Sequence, residues 1–292
     1  GYGTQKKADL TGSITTIKSE DITRTPAGAA MQSLQGKVAG LQVVSSGAPG
    51  TAPTVRVRGL GSYTGGGAAN PLYVVDGTFY DDIDFLNNED IETISVLKDA
   101  SASAIYGVRA ANGVILIQTK SGKANQKPQI TYNGYQGVQV AQNLVKLSNS
   151  EQFSTLARES GSAAEASFID NAIQRYGRSR INPNIPNVNT DWYDLILRHA
   201  LIQNHSLGVT GGTESVTYSL GLSQFEQEGI LRMKNDFERF NIRSKIDVDV
   251  SDRLKVGVSS ILSNATRYRP EDGAFSSAYF AVPVMPVLDP SK

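Results

Sequence analysis

Apolar and polar residues alternate along most of the second half of the chain. Side chains of one parity are apolar and their neighbours are polar, which is typical of strands with one apolar face. The longer runs reach the ~9–11 residues that a tilted strand needs to cross a bilayer. We therefore predict five antiparallel strands, within the runs 130–140, 207–209, 216–222, 240–250 and 254–262.

The connections between these strands alternate in length. Residues 211–214 and 251–253 predict tight turns, whereas residues 142–199 form a long excursion. Outer-membrane barrels have short periplasmic turns and longer external loops. If the first strand runs outward, both tight turns are periplasmic and the excursion is external. Helical patches are predicted within the excursion at 151–159, 165–176 and 191–198.

A transmembrane barrel and a soluble β-sandwich both explain the alternation, because a sandwich also alternates apolar and polar positions. Two details favour the barrel. One face of the fourth strand is polar and carries its charges, as the wall of a polar lumen requires. Its residues are Asn241, Arg243, Lys245, Asp247 and Asp249. Aromatic residues also gather near the predicted strand ends, where a membrane girdle would lie. These residues are Phe225, Phe237, Phe240 and Tyr268.

Residues 1–124 follow a different, mixed pattern. Thr25-Pro26 suits a helix start, and apolar residues recur at helical spacing from Met31 to Leu41. Glycine-rich turns separate short apolar runs. The chain thus divides into a mixed α/β domain at 1–124 and a β-rich domain at 125–292. Within the mixed domain we predict strands at 54–58, 72–75, 93–97 and 114–119 and a short helix at 99–106.

The composition excludes several classes of protein. The chain has 28 Lys and Arg, 28 Asp and Glu, and no Cys. A basic nucleic-acid arm, a disulfide framework and a thiol nucleophile are therefore excluded. No stretch approaches the ~20 apolar residues of a membrane helix, which excludes a helical membrane protein.

Little in the sequence indicates catalysis. The glycine run at 65–67 is followed by Ala68 and not by the Gly-Lys-Ser/Thr of a phosphate-binding loop. His199 and His205 are the only histidines, and no nucleophile-elbow pattern is present. We therefore predict no enzymatic activity, no cofactor and no metal site.

An acidic stretch covers residues 81–92. It carries six carboxylates, and no basic residue lies between 78 and 92. A calcium-binding or substrate-facing loop is one interpretation, but the spacing does not match an EF-hand. We expect a solvated surface loop.

Several longer motifs occur in the mixed domain. The longest is DIETISVLKDASASAIYGVRAANGVILIQTKSG at 90–122. The others are GYGTQKK at 1–7, LTGSI at 10–14, LQGKVAGLQV at 34–43, VRVRG at 55–59 and NPLYVVDG at 70–77. In this order they resemble the SusC/RagA family of TonB-linked outer-membrane proteins of Bacteroidetes-type bacteria. The β-rich half is similar more loosely, through NTDWYDLILRHALIQNHSLGVTGG at 189–212 and FEQEGIL at 225–231.

The resemblance implies a mixed α/β plug inside a transmembrane antiparallel β-barrel of about 22 strands. The chain would cover the plug at 1–124 and roughly the first five barrel strands at 125–292, with a long external first loop at about 142–199. Five strands cannot close, and an open edge in lipid leaves backbone groups unsatisfied. We therefore expect the N-terminal portion of a longer protein.

The resemblance also implies roles for individual residues. In TonB-dependent importers plug arginines pair with barrel glutamates, and this role carries over to Arg58 and Arg109. An internal salt bridge with Asp99 or Glu92 is an equal alternative. Outward plug loops are expected to contact a sugar or a peptide, or merely to shape the loops. The candidates for substrate contact are Tyr63, Asn70, Phe79, Tyr80 and Asp81.

The function implied by the resemblance is TonB-dependent import of an oligosaccharide across the bacterial outer membrane, together with a SusD-like lipoprotein. TonB would act through a segment upstream of Gly1, and the transporter–lipoprotein pair would form a dimer in the lipid bilayer. No nucleic-acid partner is expected. Oligopeptide import and a siderophore or vitamin receptor are alternatives within the same fold. A soluble carbohydrate-binding or adhesin β-sandwich is the alternative of a different class.

Overall fold

The computed structural model of the chain describes residues 14–24, 27–59, 70–98, 104–269 and 273–288. Contacts divide the chain into two units. The first consists of Gly1–Gly137, Leu201–Gly229 and Asp236–Tyr268, and the second of Val138–Ala200, Ile230–Asn235 and Arg269–Lys292. The domain boundary expected between residues 124 and 125 stays a prediction.

The N-terminal part of the first unit, as far as it is described, contains seven short strands. They are β1 (Ile14–Lys18), β2 (Leu41–Val44), β3 (Thr54–Val57), β4 (Leu72–Val75), β5 (Thr78–Tyr80), β6 (Ile91–Leu97) and β7 (Val114–Thr119). Five of them form a sheet in the order β1-β6-β7-β4-β5, in which β4 and β7 are parallel and the other pairs are antiparallel. Strands β2 and β3 form a separate antiparallel pair. We call the elements from β1 to β7 the mixed domain.

The core of the mixed domain is aliphatic. Ile94, Ile115 and Ile117 of β6 and β7 are buried, as expected for central strands that are covered on both faces. Ile22 is the buried residue of the short helix α1 (Ser19–Thr23) and packs in the same cluster. The continuous apolar run of β7 therefore reflects a position in the middle of the sheet.

The helix predicted across residues 31–41 is wrong. Only Ala30–Leu34 is helical, as a short 3-10 helix, although Met31 is buried as predicted. Gly36 and Gly40 have positive φ angles of 74° and 78°, which a right-handed helix does not allow. The chain therefore turns twice before it enters β2.

The strand predictions for the mixed domain agree with the structure. Strands β4 and β7 have the predicted bounds, and β3 and β6 differ from them by one and two residues. Of the predicted helix at 99–106, residues 99–103 lie outside the described residues, and Ala104–Tyr106 is a 3-10 helix. The predicted helix start at 25–26 also lies outside them.

Five long strands form a second sheet. They are β8 (Gln129–Gln139), β9 (Ala200–Gly212), β10 (Val216–Gln227), β11 (Phe237–Ser251) and β12 (Leu254–Arg267). Their order is β12-β11-β10-β9-β8, and the pairs from β9 to β12 are antiparallel. Tight turns join β9 to β10 and β11 to β12, where Gly212 pairs with Thr217 and Ser251 with Leu254. The five predicted strands and both predicted tight turns are confirmed. We call this sheet the meander.

The meander has one apolar and one polar face. Leu220, Ile242 and Val258 are exposed on the apolar face. Asn204 and Ser219 are buried on the opposite face, which contacts the mixed domain within the first unit. The mixed domain therefore covers the polar face, whereas a soluble sandwich would bury the apolar one.

Two of the four aromatic residues assigned to a membrane girdle have the other orientation. Phe225 and Phe237 are buried, and their ring centroids lie 6.0 Å apart. Both have the parity of the polar side chains, so they point to the mixed domain. The girdle prediction is therefore wrong for these two residues, whereas Phe240 and Tyr268 are exposed.

The second unit contains four helices, as far as it is described. They are α2 (Ser150–Glu159), α3 (Ala163–Tyr176), α4 (Trp192–Ile196) and α5 (Ala274–Phe280). The first three lie at the predicted helical patches of the excursion. Asn149 and Gln152 form a capping box at the start of α2, and Ile169 and Ile173 pack against Val284. None of the helices that the structure describes is both long and apolar enough to span a membrane.

Candidate functional site

The β4–β5 hairpin positions most of the residues predicted to contact substrate. Tyr80 pairs with Tyr73, so β5 returns toward the start of β4, where Asn70 lies. Asp81 directly follows β5. The structure thus brings Asn70, Tyr80 and Asp81 to one end of the mixed sheet, and Tyr63 lies outside the described residues.

Phe79, Asp81, Tyr106 and Arg109 form one connected group on this part of the mixed domain, which we call the surface cluster. Arg109 donates a hydrogen bond to Asp81 Oδ1 at 2.8 Å, and both side chains are exposed. The Arg109 guanidinium lies 5.9 Å from the centroid of the Phe79 ring. Tyr106 meets Phe79 edge to face, with the ring centroids 6.2 Å apart. The cluster therefore joins two aromatic rings to an accessible ion pair.

Tyr80 has a more enclosed environment than Asp81. Its ring centroid lies 4.9 Å from that of Phe85, and the ring packs against the core of the mixed domain. Such packing gives Tyr80 a structural role that the sequence did not indicate. Contact of Tyr80 with substrate stays a prediction.

The two arginines assigned to plug–barrel contact lie in different environments. Arg109 has an internal ion pair, although its partner is Asp81 and not Glu92. Arg58 follows β3 with a φ of 57°, and its backbone N–H donates to the Gly40 carbonyl at 2.7 Å. The Arg58 side chain is exposed. Contact of either arginine with barrel glutamates stays a prediction.

A buried ion pair joins the meander to the mixed domain. Arg243 Nε of β11 donates to Asp90 Oδ1 at 2.9 Å, and both side chains are almost fully buried. Arg243 also donates to the Lys120 carbonyl at 2.8 Å and to Ser219 Oγ at 2.9 Å. A buried charge requires this degree of compensation.

The acidic stretch at 81–92 is only partly solvated. Asp81 is exposed, whereas Glu89 and Asp90 are buried. Asn133 of β8 donates to Glu89 Oε2 at 3.0 Å. The expectation of a solvated loop is therefore wrong for these two carboxylates, because strands distant in sequence supply their partners. The available signal was the set of three basic residues on one face of β11, Arg239, Arg243 and Lys245, which could supply counter-charges to buried carboxylates.

Asp76 and Gly77 form the turn between β4 and β5, and Asp76 contacts the meander. Their φ angles of 47° and 87° are both positive, as a type I′ hairpin turn requires and as Asp-Gly favours. Asp76 accepts hydrogen bonds from the Thr119 N–H at 3.0 Å and the Thr119 hydroxyl at 2.5 Å. Lys245 Nζ of β11 lies 3.1 Å from Asp76 Oδ1. One side chain thus shapes the turn, holds the end of β7 and binds the meander.

Burial changes the ionisation of two carboxyl groups in the mixed domain. It raises the pKa of Glu89, which the positive charge of Lys120 partly opposes. It also raises the pKa of Asp84, where the neighbouring Asp82 adds to the effect and Arg239 opposes it. Both groups therefore bind a proton more readily than an exposed carboxylate does.

The second unit contains a cavity that no sequence pattern predicted. Its volume is about 580 Å³, and Phe153, Trp192, Tyr193, Tyr279 and Phe280 line it. The indole Nε1 of Trp192 donates to the Val282 carbonyl at 3.0 Å, which fixes the ring. Within the described ranges, no group of three or more His, Cys, Asp or Glu side chains is arranged to hold a metal ion.

A mixed α/β domain bound to the polar face of a long-stranded antiparallel sheet, whose other face is apolar, defines the class of plug-and-barrel outer-membrane receptors. The sequence model of this class, TonB-dependent Receptor Plug Domain, matches residues 6–114. The mixed domain is accordingly the plug, and the meander consists of barrel strands.

Sequence similarity to individual relatives indicates which TonB-dependent receptors the chain resembles. The chain is 42% identical to TonB-dependent receptor P26 of Formosa agariphila, over 88% of this chain and 25% of the relative. It is 33% identical to TonB-dependent receptor SusC of Bacteroides thetaiotaomicron, over 98% of this chain and 28% of the relative. The chain thus spans about a quarter of the length of the curated relatives that it matches.

Solved structures of outer-membrane importers and receptors are also similar to this chain. The RagAB peptide importer in its open-open state matches with a TM-score of 0.77 and 30% identity, over 93% of this chain and 32% of that chain. The siderophore receptor PirA of Acinetobacter baumannii matches with a TM-score of 0.53 and 16% identity, over 88% and 32%, which shows the fold alone. The chain belongs to the SusC/RagA type of TonB-dependent receptors, which are proteins of the bacterial outer membrane.

Proposed function

We propose that the protein takes part in TonB-dependent import of an oligosaccharide across the outer membrane, and that it is a transporter and not an enzyme. The single observation that supports an oligosaccharide as the cargo is the surface cluster. It places two half-buried aromatic rings, which also pack against the core, beside an exposed carboxylate and guanidinium. Family membership supports the transport reaction itself.

The contacts of the plug with β11 support an outward position of the surface cluster. Lys245 contacts Asp76 in the hairpin turn, whereas Arg239, earlier on β11, donates to the Asp84 carbonyl. Strand β11 runs toward the tight turn with β12, so Asp76 lies toward the short turns and Asp84 away from them. Asp81 lies near Asp84 in the chain. Short turns of outer-membrane barrels are periplasmic, so the surface cluster would face the outside.

The chemistry of the surface cluster suits a sugar ring. An aromatic face such as that of Phe79 stacks on the apolar face of a pyranose, and carboxylate and guanidinium groups bind hydroxyls through charge-assisted hydrogen bonds. An exposed ion pair contributes only about 0–1 kcal/mol. Arg109 and Asp81 can therefore exchange each other for ligand groups at little cost.

The proposed partners are a SusD-like surface lipoprotein and TonB. The lipoprotein would hold the ligand above the plug, and TonB would supply the force that opens a path. A ligand shifts the plug toward its TonB-engaged state only as far as it binds that state more tightly. Purification of the full-length receptor through an affinity tag tests this partnership, and the absence of a stoichiometric lipoprotein would contradict it.

Oligopeptide import is the second candidate. It is favoured by the similarity to RagAB, which is a peptide importer. The ion pair of Arg109 and Asp81 offers a cation for a peptide carboxylate and an anion for an amino group. The likeness to siderophore receptors shows the fold alone and supports no such cargo.

Calorimetric titration of the full-length receptor with matched panels of neutral oligosaccharides and oligopeptides separates these candidates. We expect saturable binding of an oligosaccharide, weakened roughly tenfold or more by Asp81→Asn or Phe79→Ala. Glu92→Gln is the matched control, because Glu92 is an exposed acid of the plug outside the surface cluster. Binding of peptides alone would overturn the oligosaccharide proposal, and full affinity in both cluster variants would overturn the site.

A further inference from the structure

Strand β11 presents four long polar side chains to the plug at alternate positions. Each has a defined acceptor on the plug, and the acceptors extend from the hairpin turn to the 84–90 segment. Arg239 donates to the Asp84 carbonyl, Asn241 to the Phe85 carbonyl, Arg243 to Asp90 and the Lys120 carbonyl, and Lys245 to Asp76.

Two kinds of contact follow one another along this strand, the first in its N-terminal half and the second further on. Arg239 and Asn241 bind backbone carbonyls, which any sequence offers. Arg243 and Lys245 bind the side chains of Asp90 and Asp76, which only this sequence offers at these positions. The first kind of contact holds the 84–85 backbone against β11. The second kind fixes the position of the plug along β11.

Strand β10 is shaped to admit Asp90. A Cβ atom at Gly221 would lie 2.5 Å from Asp90 Oδ1, and the nearest Arg243 atom, Nε, would lie 3.6 Å away. No side chain fits there without displacing the carboxylate. Gly221 therefore leaves the space in which Asp90 meets Arg243.

We propose that β11 is the clamp that holds the plug in this barrel, with Arg243 and Asp90 as its central pair and Gly221 as the residue that makes room for it. The signs of the charges are opposite to those of the predicted plug arginines and barrel glutamates: in these two ion pairs the barrel strand contributes the cation and the plug contributes the anion. The inference rests on the plug-and-barrel fold and does not depend on the proposed cargo.

Loss of one member of the central pair leaves the other charge buried and uncompensated. The docked state of the 84–90 segment should then lose roughly a hundredfold in population relative to undocked states. A plug that undocks more often opens the barrel to solutes without TonB. Passive leakage of a solute through the barrel therefore measures how well the clamp holds the plug. The measurement does not depend on TonB-driven import.

The test uses the full-length receptor in an outer membrane that lacks TonB. We measure uptake of vancomycin, which an intact outer membrane excludes, for the wild type, Arg243→Gln and Gly221→Ala. We expect a rise in uptake of about tenfold or more for both variants. This rise is smaller than the roughly hundredfold change in the docked population, because uptake is also limited by steps that do not depend on this pair. Heat-modifiable migration in a denaturing gel verifies that each barrel has folded.

Gly257→Ala is the matched control. A Cβ atom at Gly257 would lie 2.5 Å from Asp247 Oδ1, so it imposes the same clash on an aspartate that is outside the clamp. We expect wild-type leakage for this variant. Equal leakage for the alanine variants of Gly221 and Gly257, or wild-type leakage in folded Arg243→Gln, would overturn the proposal. If Arg243→Gln does not fold, Gly221→Ala decides, because it retains both charges.

Discussion

Two arginine–aspartate pairs of almost the same length lie in different parts of the first unit. Arg109 and Asp81 are 2.8 Å apart in the surface cluster, with side chains 56% and 92% exposed. Arg243 and Asp90 are 2.9 Å apart between barrel and plug, with side chains 2% and 7% exposed. Distance alone therefore does not distinguish the exposed pair, which we propose to bind ligand, from the buried pair.

The difference in burial determines what each pair can do. Water competes for the exposed pair, so either partner can be replaced by a ligand group. The buried pair has no such alternative, because removal of one charge leaves the other buried without solvent or a counter-charge. The same chemistry thus suits recognition at the surface and retention at the interface.

The largest effect is expected for Asp90→Ala. It should lower the free energy of local opening by about 3–5 kcal/mol, because Arg243 remains buried without its counter-charge. Native-state hydrogen exchange at the amides of the 85–90 segment, in the full-length receptor, measures this change. A loss below about 1 kcal/mol, typical of exposed pairs, would remove the distinction between the two pairs.

An intermediate effect is expected for Asp76→Ala. The side chains of Lys245 and Asp76 are 20% and 12% exposed, and Asp76 also accepts two hydrogen bonds from Thr119. Their loss should cost about 1–3 kcal/mol of opening free energy at the end of β7. Hydrogen exchange at the Thr119 amide reports it directly, and protection equal to that of the wild type would contradict this reading.

A small effect on stability is expected for Asp81→Ala. The exposed pair with Arg109 should contribute at most about 1 kcal/mol at low salt and less at high salt. Hydrogen exchange of the β4–β5 hairpin at two ionic strengths measures the contribution. A large loss that does not depend on salt would assign a structural role to this pair.

The smallest effect is a pH dependence from Glu89. Because its pKa is raised by burial, the folded plug binds this proton more tightly than the unfolded chain does. The stability that the proton provides is complete below the ordinary glutamate pKa of about 4.3 and is lost as pH rises through the raised value. Glu89→Gln should flatten this part of the profile of unfolding free energy against pH, and the control Glu92→Gln should leave the profile unchanged. A wild-type profile in Glu89→Gln would exclude Glu89 as the source of the pH dependence.

The periodic elements could be predicted from the sequence. A period of two over long stretches indicated β8 to β12, because side-chain alternation is a local property of the strand. The short apolar runs indicated β4 and β7 for a similar reason. The helix across 31–41 failed because Gly36 and Gly40 override a helical spacing that also suits a series of turns.

The interface could not be predicted in the same way. Asp90 and Arg243 are 153 positions apart, and nothing in the local sequence around Asp90 indicates burial. The basic residues on one face of β11 showed that a polar wall exists, but not which plug groups face it. Phe225 and Phe237 were assigned to lipid from their places near strand ends, whereas their parity decides their orientation.

Spin labels along β10 test the central claim, that one face of the meander contacts lipid and the other contacts the plug. These 292 residues have no cysteine, so in the full-length receptor, with any cysteine elsewhere replaced by serine, single cysteines can be placed at Ser219, Leu220, Leu222 and Ser223. In bilayers, collision rates with dissolved oxygen should be high at Leu220 and Leu222 and low at Ser219 and Ser223. Oxygen access without a period of two, or high access of a water-soluble relaxer at Leu220 and Leu222, would contradict the account.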